Sequence, residues 1–198
     1  MRVVVLDLDG VVFEKSRFSN RLHLEFGISP EMTAPFFRGP FQECQLGQAD
    51  LRAELPDFLK TWGWSSSLDA FLRFWFECDQ AVRPAVLETV AFLRQWGVTC
   101  CLATNQEKYR SEFLCRNLKI DDHFDSVFSS HLLGHRKPSE RFFQAIEKAV
   151  SVHAESISFW DDTDENVRSA QKLGWDAELF TDLAVFQESV SRRIAAAA

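Results

Sequence analysis

Three features are missing from this 198-residue sequence, and each absence excludes a class of protein. The five cysteines are odd in number and include no C-x-x-C pair, so neither a disulfide framework nor a structural zinc site is indicated. Arg2, Asp7 and Asp9 interrupt the apolar start, which is too short and too charged for a signal peptide or a membrane span. Positive charge is not in excess: the formal net charge of −7 argues against a nucleic-acid partner. We expect a cytoplasmic protein with neither nucleic acid nor membrane as a partner.

The composition is that of a soluble globular chain with an unusual choice of aromatic residues. Apolar residues make up 46% and charged residues 26% of the sequence, while 19 Phe and 6 Trp stand against a single Tyr. At this length folding buries roughly 70% of the surface of the unfolded chain, enough for one core or a core with a small satellite domain. We therefore expect a core rich in aromatic rings.

Short apolar runs alternate with helical patterns along most of the chain. The runs lie at residues 3–6, 98–103, 126–128, 157–160 and about 176–180. Runs of this length that precede helical segments are typical of strands buried on both faces of a parallel sheet. The sequence therefore predicts an α/β fold with a mainly parallel sheet, and the last four alanines are expected to form a frayed tail.

Residues 15–80 interrupt this alternation, because they show helical apolar spacing and no convincing strand. We interpret them as an inserted α-helical cap, which leaves residues 1–14 and 81–198 as one discontinuous core. Open α/β sheets bind ligands at the carboxyl edge of their strands, so the cap is expected to cover that edge.

The segment VVVLDLDGVV, residues 3–12, carries two acids directly after the first predicted strand. Asp7 and Asp9 are two residues apart, so in an extended chain they project to the same side, and Gly10 allows a turn. Like charges so close repel unless a cation neutralises them or one carboxylate takes a proton. A divalent metal would satisfy both acids; the alternative is that they are solvated loop residues.

A second acidic cluster, FWDDTDEN at residues 159–166, follows a later strand and should reach the same edge. Asp161 and Asp162 offer the hard oxygen ligands that Mg²⁺ prefers. One of them could instead cap the following helix, which would not explain two adjacent acids.

Between the clusters lie three weaker signals for phosphate binding. Thr104 and Asn105 end the second strand, where a hydroxyl, an amide and nearby backbone N–H groups suit a phosphate. Lys137 precedes Pro138 at the start of a helix and could act as a point charge on the same ligand. Taken singly, Thr104 and Asn105 are more typical of a helix cap, and a single lysine such as Lys137 is more typical of a solvated side chain.

The order of these motifs along nearly the whole chain resembles the haloacid dehalogenase-like hydrolase superfamily. It is most similar to the phosphatases with a small α-helical cap, such as bacterial α-D-glucose-1-phosphatase. The resemblance implies a Rossmann-like three-layer core, Mg²⁺ as cofactor, and a small phosphorylated metabolite as substrate. We expect such a phosphatase to be a monomer or weak homodimer.

The resemblance also implies a role for each motif residue. Asp7 matches the nucleophile that becomes an aspartyl phosphate. Asp9 matches the acid/base group, whose backbone carbonyl also faces the metal. Thr104 and Asn105 match the residues that hold the phosphoryl oxygens, Lys137 the residue that offsets negative charge, and Asp162, assisted by Asp161, the metal-binding acid.

The cap departs from this pattern and leaves the substrate open. Relatives often carry an acid-x-Gly segment where this chain has Gln45, which makes glucose 1-phosphate a doubtful substrate. Arg38 and Gln42, expected on a loop between cap helices, are candidates for contact with the leaving group. His131 and His135 lie at metal-binding spacing but in an expected loop without an acidic partner, and are interpreted as surface residues.

Three alternatives to a phosphatase remain open at this stage. A phosphomutase of the same superfamily would use the same motifs. A haloacid dehalogenase needs no metal and lacks the second aspartate, whereas Asp9 is present. A non-catalytic binding protein with this fold would be expected to have lost a motif residue.

Overall fold

A parallel five-stranded sheet forms the centre of the computed structural model, which describes residues 1–195 and the side chains of residues 1–194. The strands are β1 (Val3–Leu6), β2 (Thr99–Thr104), β3 (Ser126–Ser129), β4 (Ile157–Asp161) and β5 (Asp176–Leu179). Their order in the sheet is β3-β2-β1-β4-β5, and each neighbouring pair is parallel. The predicted α/β class and parallel sheet are confirmed.

The helices fall into two groups along the chain. Five lie between the first two strands: α1 (Phe18–Phe26), α2 (Pro30–Phe37), α3 (Pro40–Gln45), α4 (Leu51–Thr61) and α5 (Leu68–Cys78). The others are α6 (Pro84–Gln95), α7 (Lys108–Leu118), α8 (Ser130–Leu133), α9 (Glu140–Val150), α10 (Asp164–Lys172) and α11 (Leu183–Ala195). Short 3₁₀ turns cover Ile120–His123 and Ala154–Ser156.

The side chains of β1 alternate between two apolar cores, one on each face of the sheet. Val4 and Leu6 pack with residues of α6 and α11, while Val3 and Val5 pack with residues of α9 and α10. All four are buried. The sheet is therefore the middle of three layers, as in the Rossmann-like arrangement that the resemblance implied.

Helices α1–α5 enclose a separate cluster built mainly from aromatic rings. Phe36 and Phe71 are fully buried there, and Phe18 stacks on Trp75 with ring centroids 5.2 Å apart. Aromatic pairs in such geometries add to the free energy of burial. These rings form the core of the helical bundle, while the exact division at residues 14/15 and 80/81 stays a prediction.

The two connections between sheet and bundle run side by side, held by Asp79. Its carboxylate accepts hydrogen bonds from the Ser16 hydroxyl at 2.7 Å and from the backbone N–H groups of Arg17 at 2.8 Å and Phe18 at 3.2 Å. Asp79 thus fastens the end of α5 to the start of α1. We call these two connections, residues 14–17 and 79–83, the hinge.

Local boundaries differ from expectation in three places. Helix α9 begins at Glu140 rather than at Pro138, Gln42 lies within α3 rather than on a loop, and His131 lies in the short α8. Helix α11 ends at Ala195, so the rest of the predicted frayed tail lies outside the described residues. Within residues 1–195, no helix has the length and apolar character that crossing a membrane requires.

Candidate active site

Three strands bring their carboxyl ends together at one edge of the sheet. The parallel register pairs Leu6 of β1 with Trp160 of β4 and with Leu102 of β2. Asp7 follows β1 directly, while Asp161 and Thr104 are the last residues of β4 and β2. The three predicted motif residues therefore lie at one edge of the sheet, because neighbouring parallel strands end there within one or two residues of the same level.

Lys137 reaches this edge from the loop before α9 and bridges two acids. Its Nζ lies 2.7 Å from Asp7 Oδ1 and 2.6 Å from Asp161 Oδ2, and only 1% of its side chain is exposed. Burial disfavours the charged ammonium, but the two carboxylates outweigh that effect and raise the pKa of Lys137 above its usual value. The buried lysine is therefore a permanent cation at the site.

Asn105 holds the backbone of Lys137. Its Oδ1 accepts a hydrogen bond from the Lys137 backbone N–H at 2.9 Å, and its Nδ2 donates to the Lys137 carbonyl at 3.0 Å. Both ends of the amide thus contact Lys137, and the expected contact of Asn105 with phosphate stays a prediction. Thr104, by contrast, is a buried residue at the tip of β2, where the sequence predicted it.

Three carboxylates form a group that could hold a metal ion. Oxygen atoms of Asp7, Asp161 and Asp162 all lie within 4.8 Å of one another. Burial, opposed by Lys137, raises the pKa of Asp7 to about 7, because a desolvated carboxylate among like charges is costly to ionise. Lys137 offsets one of the three acidic charges when all are ionised, and the exposed Lys15, whose Nζ lies 3.4 Å from Asp162 Oδ2, partly offsets a second. The group keeps a net negative charge, which fits a divalent cation and the oxygen ligands of Mg²⁺.

Gly10 makes room for the third of these acids. Its φ is +92°, and a Cβ on this residue would lie 2.2 Å from Asp162 Oδ2. Any larger residue would push the Asp162 carboxylate away from its position beside Asp7. The position of the Asp162 carboxylate therefore requires glycine at residue 10.

Gly10→Ala is expected to abolish the stabilisation of the folded protein by Mg²⁺. A cation present at 100 times its dissociation constant stabilises a folded protein by about 2.7 kcal/mol, which thermal unfolding with and without Mg²⁺ measures. Gly27→Ala is the matched control, since Gly27 also has a positive φ of +70° but no atom within 4 Å of an added Cβ. Equal Mg²⁺ responses in the two variants would refute the assignment of Asp162 to a metal site.

Asp9 is held by two residues that the sequence analysis did not identify. Arg110 Nη1 and Nη2 donate to its two oxygens at 2.8 Å each, and Gln106 Nε2 donates at 2.5 Å. Burial alone would raise the pKa of Asp9, but these donors outweigh it and hold the pKa below its usual value. Gln106 lies in the loop before α7 and Arg110 lies in the first turn of that helix, so no single helical periodicity marks the two residues as a pair in the sequence.

Only one of the three cap candidates reaches the core in this structure. Gln45 Nε2 donates to the Asn105 carbonyl at 3.0 Å, and its Oε1 accepts from Arg136 Nη1 at 3.0 Å. Gln42 instead donates to the carbonyl of Phe37 inside the bundle, and Arg38 is exposed. Contact with a leaving group therefore stays a prediction for Arg38 and Gln42.

The two histidines do not share a site. His131 is half-buried, with its Nδ1 2.6 Å from the Ser129 hydroxyl, and burial lowers its pKa. His135 is also half-buried rather than exposed. Neither belongs to the group of acids that could hold a metal within the described part of the chain.

Residues 1–174 match the family described as haloacid dehalogenase-like hydrolase. Among curated relatives, the GMP/IMP nucleotidase YrfG of Escherichia coli is 23% identical over 86% of this chain and 78% of its own length. The sesquiterpene phosphatase astK of Aspergillus oryzae is 39% identical over 31% of each chain. The chain spans between 12% and 31% of three of the curated relatives that it matches.

Solved structures share the fold. A HAD-family enzyme of Bacteroides thetaiotaomicron, in complex with magnesium and inorganic phosphate, aligns with a TM-score of 0.78 and 20% identity over 90% of this chain and 93% of that one. The L-2-haloacid dehalogenase of Xanthobacter autotrophicus aligns with a TM-score of 0.67 and 18% identity, covering all of this chain and 84% of that one. At these identities the likeness establishes the architecture, whereas the chemistry must be argued from the site.

Proposed function

Since the chain belongs to the haloacid dehalogenase-like hydrolase family, we propose that it is a cytoplasmic, Mg²⁺-dependent phosphatase that hydrolyses a small phosphomonoester through an aspartyl-phosphate intermediate. A sugar phosphate or another small phosphorylated metabolite suits a site covered by a small cap, and the enzyme is expected to be a monomer or weak homodimer. The observation that carries the proposal is the buried Lys137 between Asp7 and Asp161, beside a third carboxylate on Asp162.

In the first half-reaction, a carboxylate oxygen of Asp7 attacks the phosphorus atom of the ester. The bond from phosphorus to the leaving oxygen breaks, and that oxygen keeps the electron pair. Lys137 offsets the charge of the nucleophile and of the phosphoryl oxygens, and Thr104, the last residue of β2, would hold one of those oxygens. Asn105 contributes by fixing the Lys137 backbone.

In the second half-reaction, water attacks the aspartyl phosphate. The bond between phosphorus and Asp7 breaks, Asp7 leaves as a carboxylate, and Asp9 accepts a proton from the water. The lowered pKa of Asp9 keeps this group in the carboxylate form, which is the form that accepts a proton. In the first half-reaction, the protonated form of Asp9, which is its minor form, would give a proton to the leaving oxygen.

Asp7 and Asp162, with Asp161 beside them, are the residues that would hold Mg²⁺, and the backbone carbonyl of Asp9 is a further expected ligand. The ion would supply positive charge to the phosphoryl oxygens and keep Asp7 ionised. The net negative charge that these acids keep beside Lys137 supports this assignment.

A phosphate-release screen tests the function directly. Purified protein with Mg²⁺ is assayed against sugar phosphates, nucleotides and other small phosphomonoesters, with p-nitrophenyl phosphate as a generic probe. Turnover of one ester to alcohol and phosphate supports the phosphatase; isomerised phosphate ester would indicate a phosphomutase, and halide release from a haloacid would indicate a dehalogenase. No turnover of any compound would favour a binding protein.

Removal of the metal is expected to abolish turnover. Chelation by EDTA leaves Asp7, Asp161 and Asp162 with Lys137 as their buried counter-charge, so phosphate release should fall to background and return when Mg²⁺ is added in excess of EDTA. Full activity in metal-free buffer with EDTA would contradict a metal-dependent reaction and favour the metal-independent dehalogenase.

Asp9→Asn is expected to slow turnover by roughly 10² to 10⁴, the usual contribution of a positioned acid/base group. In single-turnover measurements of the first half-reaction, the loss should be smaller for p-nitrophenyl phosphate than for a sugar phosphate, because a phenolate departs with little protonation. Equal losses for both esters, with chemistry rate-limiting, would contradict the general-acid part of the role.

A further inference from the structure

Arg110 is buried, makes two parallel hydrogen bonds to Asp9, and has no assigned role in the reaction. Only 7% of its side chain is exposed, against 35% for Asp9. The guanidinium therefore covers one edge of the carboxylate and leaves another part of it open. Paired N–H donors on both oxygens fix the plane of a carboxylate as well as its place, which a single donor cannot do.

Arg110 is itself held at two further points, one on its guanidinium and one on its backbone. Arg110 Nη2 donates to the carbonyl of Asp79 at 2.9 Å, which ties it to the hinge. The backbone N–H of Arg110 donates to the Glu107 carboxylate, which caps the start of α7. Arg110 is thus fixed at both its side chain and its backbone, and together with Gln106, which donates to Asp9 Oδ2, it sets the position of the Asp9 carboxylate.

We propose that Arg110 is a positioning residue for the second half-reaction, orienting the Asp9 carboxylate so that its open side accepts a proton from the attacking water. The inference rests on the proposed function. Water forms a bond to phosphorus, the bond from phosphorus to Asp7 breaks with its electron pair passing to Asp7, and the proton goes to Asp9. Arg110 touches none of the reacting atoms and acts through Asp9.

The test separates the two half-reactions with p-nitrophenyl phosphate under rapid mixing. In Arg110→Lys, the charge remains but one nitrogen cannot reproduce both contacts to Asp9 and the contact to Asp79. We expect the initial release of one equivalent of nitrophenolate per enzyme to change less than about threefold, and the following steady-state rate to fall about 10- to 100-fold, within the range of positioned base catalysis. The phosphorylated enzyme should accumulate in acid-quenched samples.

A matched control and a double variant make the result specific. Arg116→Lys applies the same substitution on the same helix at an exposed residue, and should change neither phase. In an Asp9→Asn background, Arg110→Lys should cost less than about threefold, since a residue that acts through Asp9 has nothing left to orient. A full additional loss in that background would overturn the proposal.

Other results of the same measurements distinguish failure of the role of Arg110 from failure of the proposed function. Equal losses in both phases, or no loss in either, would overturn the role of Arg110 while leaving the phosphatase intact. Wild-type protein that releases neither nitrophenolate nor phosphate would instead refute the proposed function. If thermal unfolding shows that Arg110→Lys does not fold, Arg110→Gln is measured in its place, and failure of both variants to fold would assign Arg110 a structural role and overturn the proposal.

Discussion

Asp7→Asn is expected to abolish both phosphate release and the covalent intermediate. The amide has nearly the shape of the carboxylate but lacks the charge and nucleophilicity that the first half-reaction needs, so turnover should fall by about 10⁴ or more, as in other hydrolases that lose their nucleophile. Acid-quenched wild-type protein should carry one phosphoryl group on the peptide that contains Asp7, and the variant should carry none.

Stability distinguishes this loss from unfolding. Burial raises the pKa of Asp7 to about 7, so at pH 8 the folded protein holds this carboxylate ionised at a cost. A neutral amide is therefore expected to leave the melting temperature at pH 8 unchanged or to raise it. Asp57→Asn, at a carboxylate that is 89% exposed, is the control for the substitution itself. A phosphorylated Asp7→Asn enzyme would contradict the assignment of the nucleophile.

The sheet and its edge were predictable because they depend on local patterns. The run before Asp7 is apolar at every position, which predicts a strand buried on both faces, and the run before Asp161 is apolar except at Ser158. Parallel strands in neighbouring positions end at one edge, so acids that follow two such strands must meet. The order of strands and helices along the chain is therefore enough to predict that these acids lie together.

The support around these residues was not predictable from the sequence. Arg110 lies 101 residues from Asp9 along the chain. In the sequence alone, an arginine at the start of a helix looks like any solvent-exposed arginine. From the sequence, the Asn105 amide could contact either a phosphate or a backbone segment. Its contact with the Lys137 backbone depends on the tertiary fold, which brings that loop beside Asn105. Likewise, the docking of Gln45 on the Asn105 carbonyl depends on where the bundle sits over the sheet.

Lys137→Met is expected to remove stability as well as activity, because it leaves two buried acids without their cation. Loss of one partner of a buried ion pair typically costs about 3 to 5 kcal/mol, since the remaining charge is neither solvated nor paired. Phosphate release should fall to background, as the variant lacks the charge that offsets nucleophile and phosphate. Lys60→Met is the control, because Lys60 pairs with Asp57 at a site where both side chains are at least 78% exposed.

The pH dependence gives this prediction its sharpest form. Loss of the ammonium should raise the pKa of Asp7 beyond the value of about 7 that it has beside Lys137, whereas the unfolded chain keeps a value near 3.8. Between these pKa values the folded variant binds a proton that the unfolded chain lacks, so its stability should fall as the pH rises. Urea denaturation at pH 5.5 and pH 8 should therefore show a smaller deficit at pH 5.5, and Mg²⁺ should recover part of the deficit at pH 8. A deficit that is the same at both pH values, or no larger than that of Lys60→Met, would show that Lys137 does not hold these acids together.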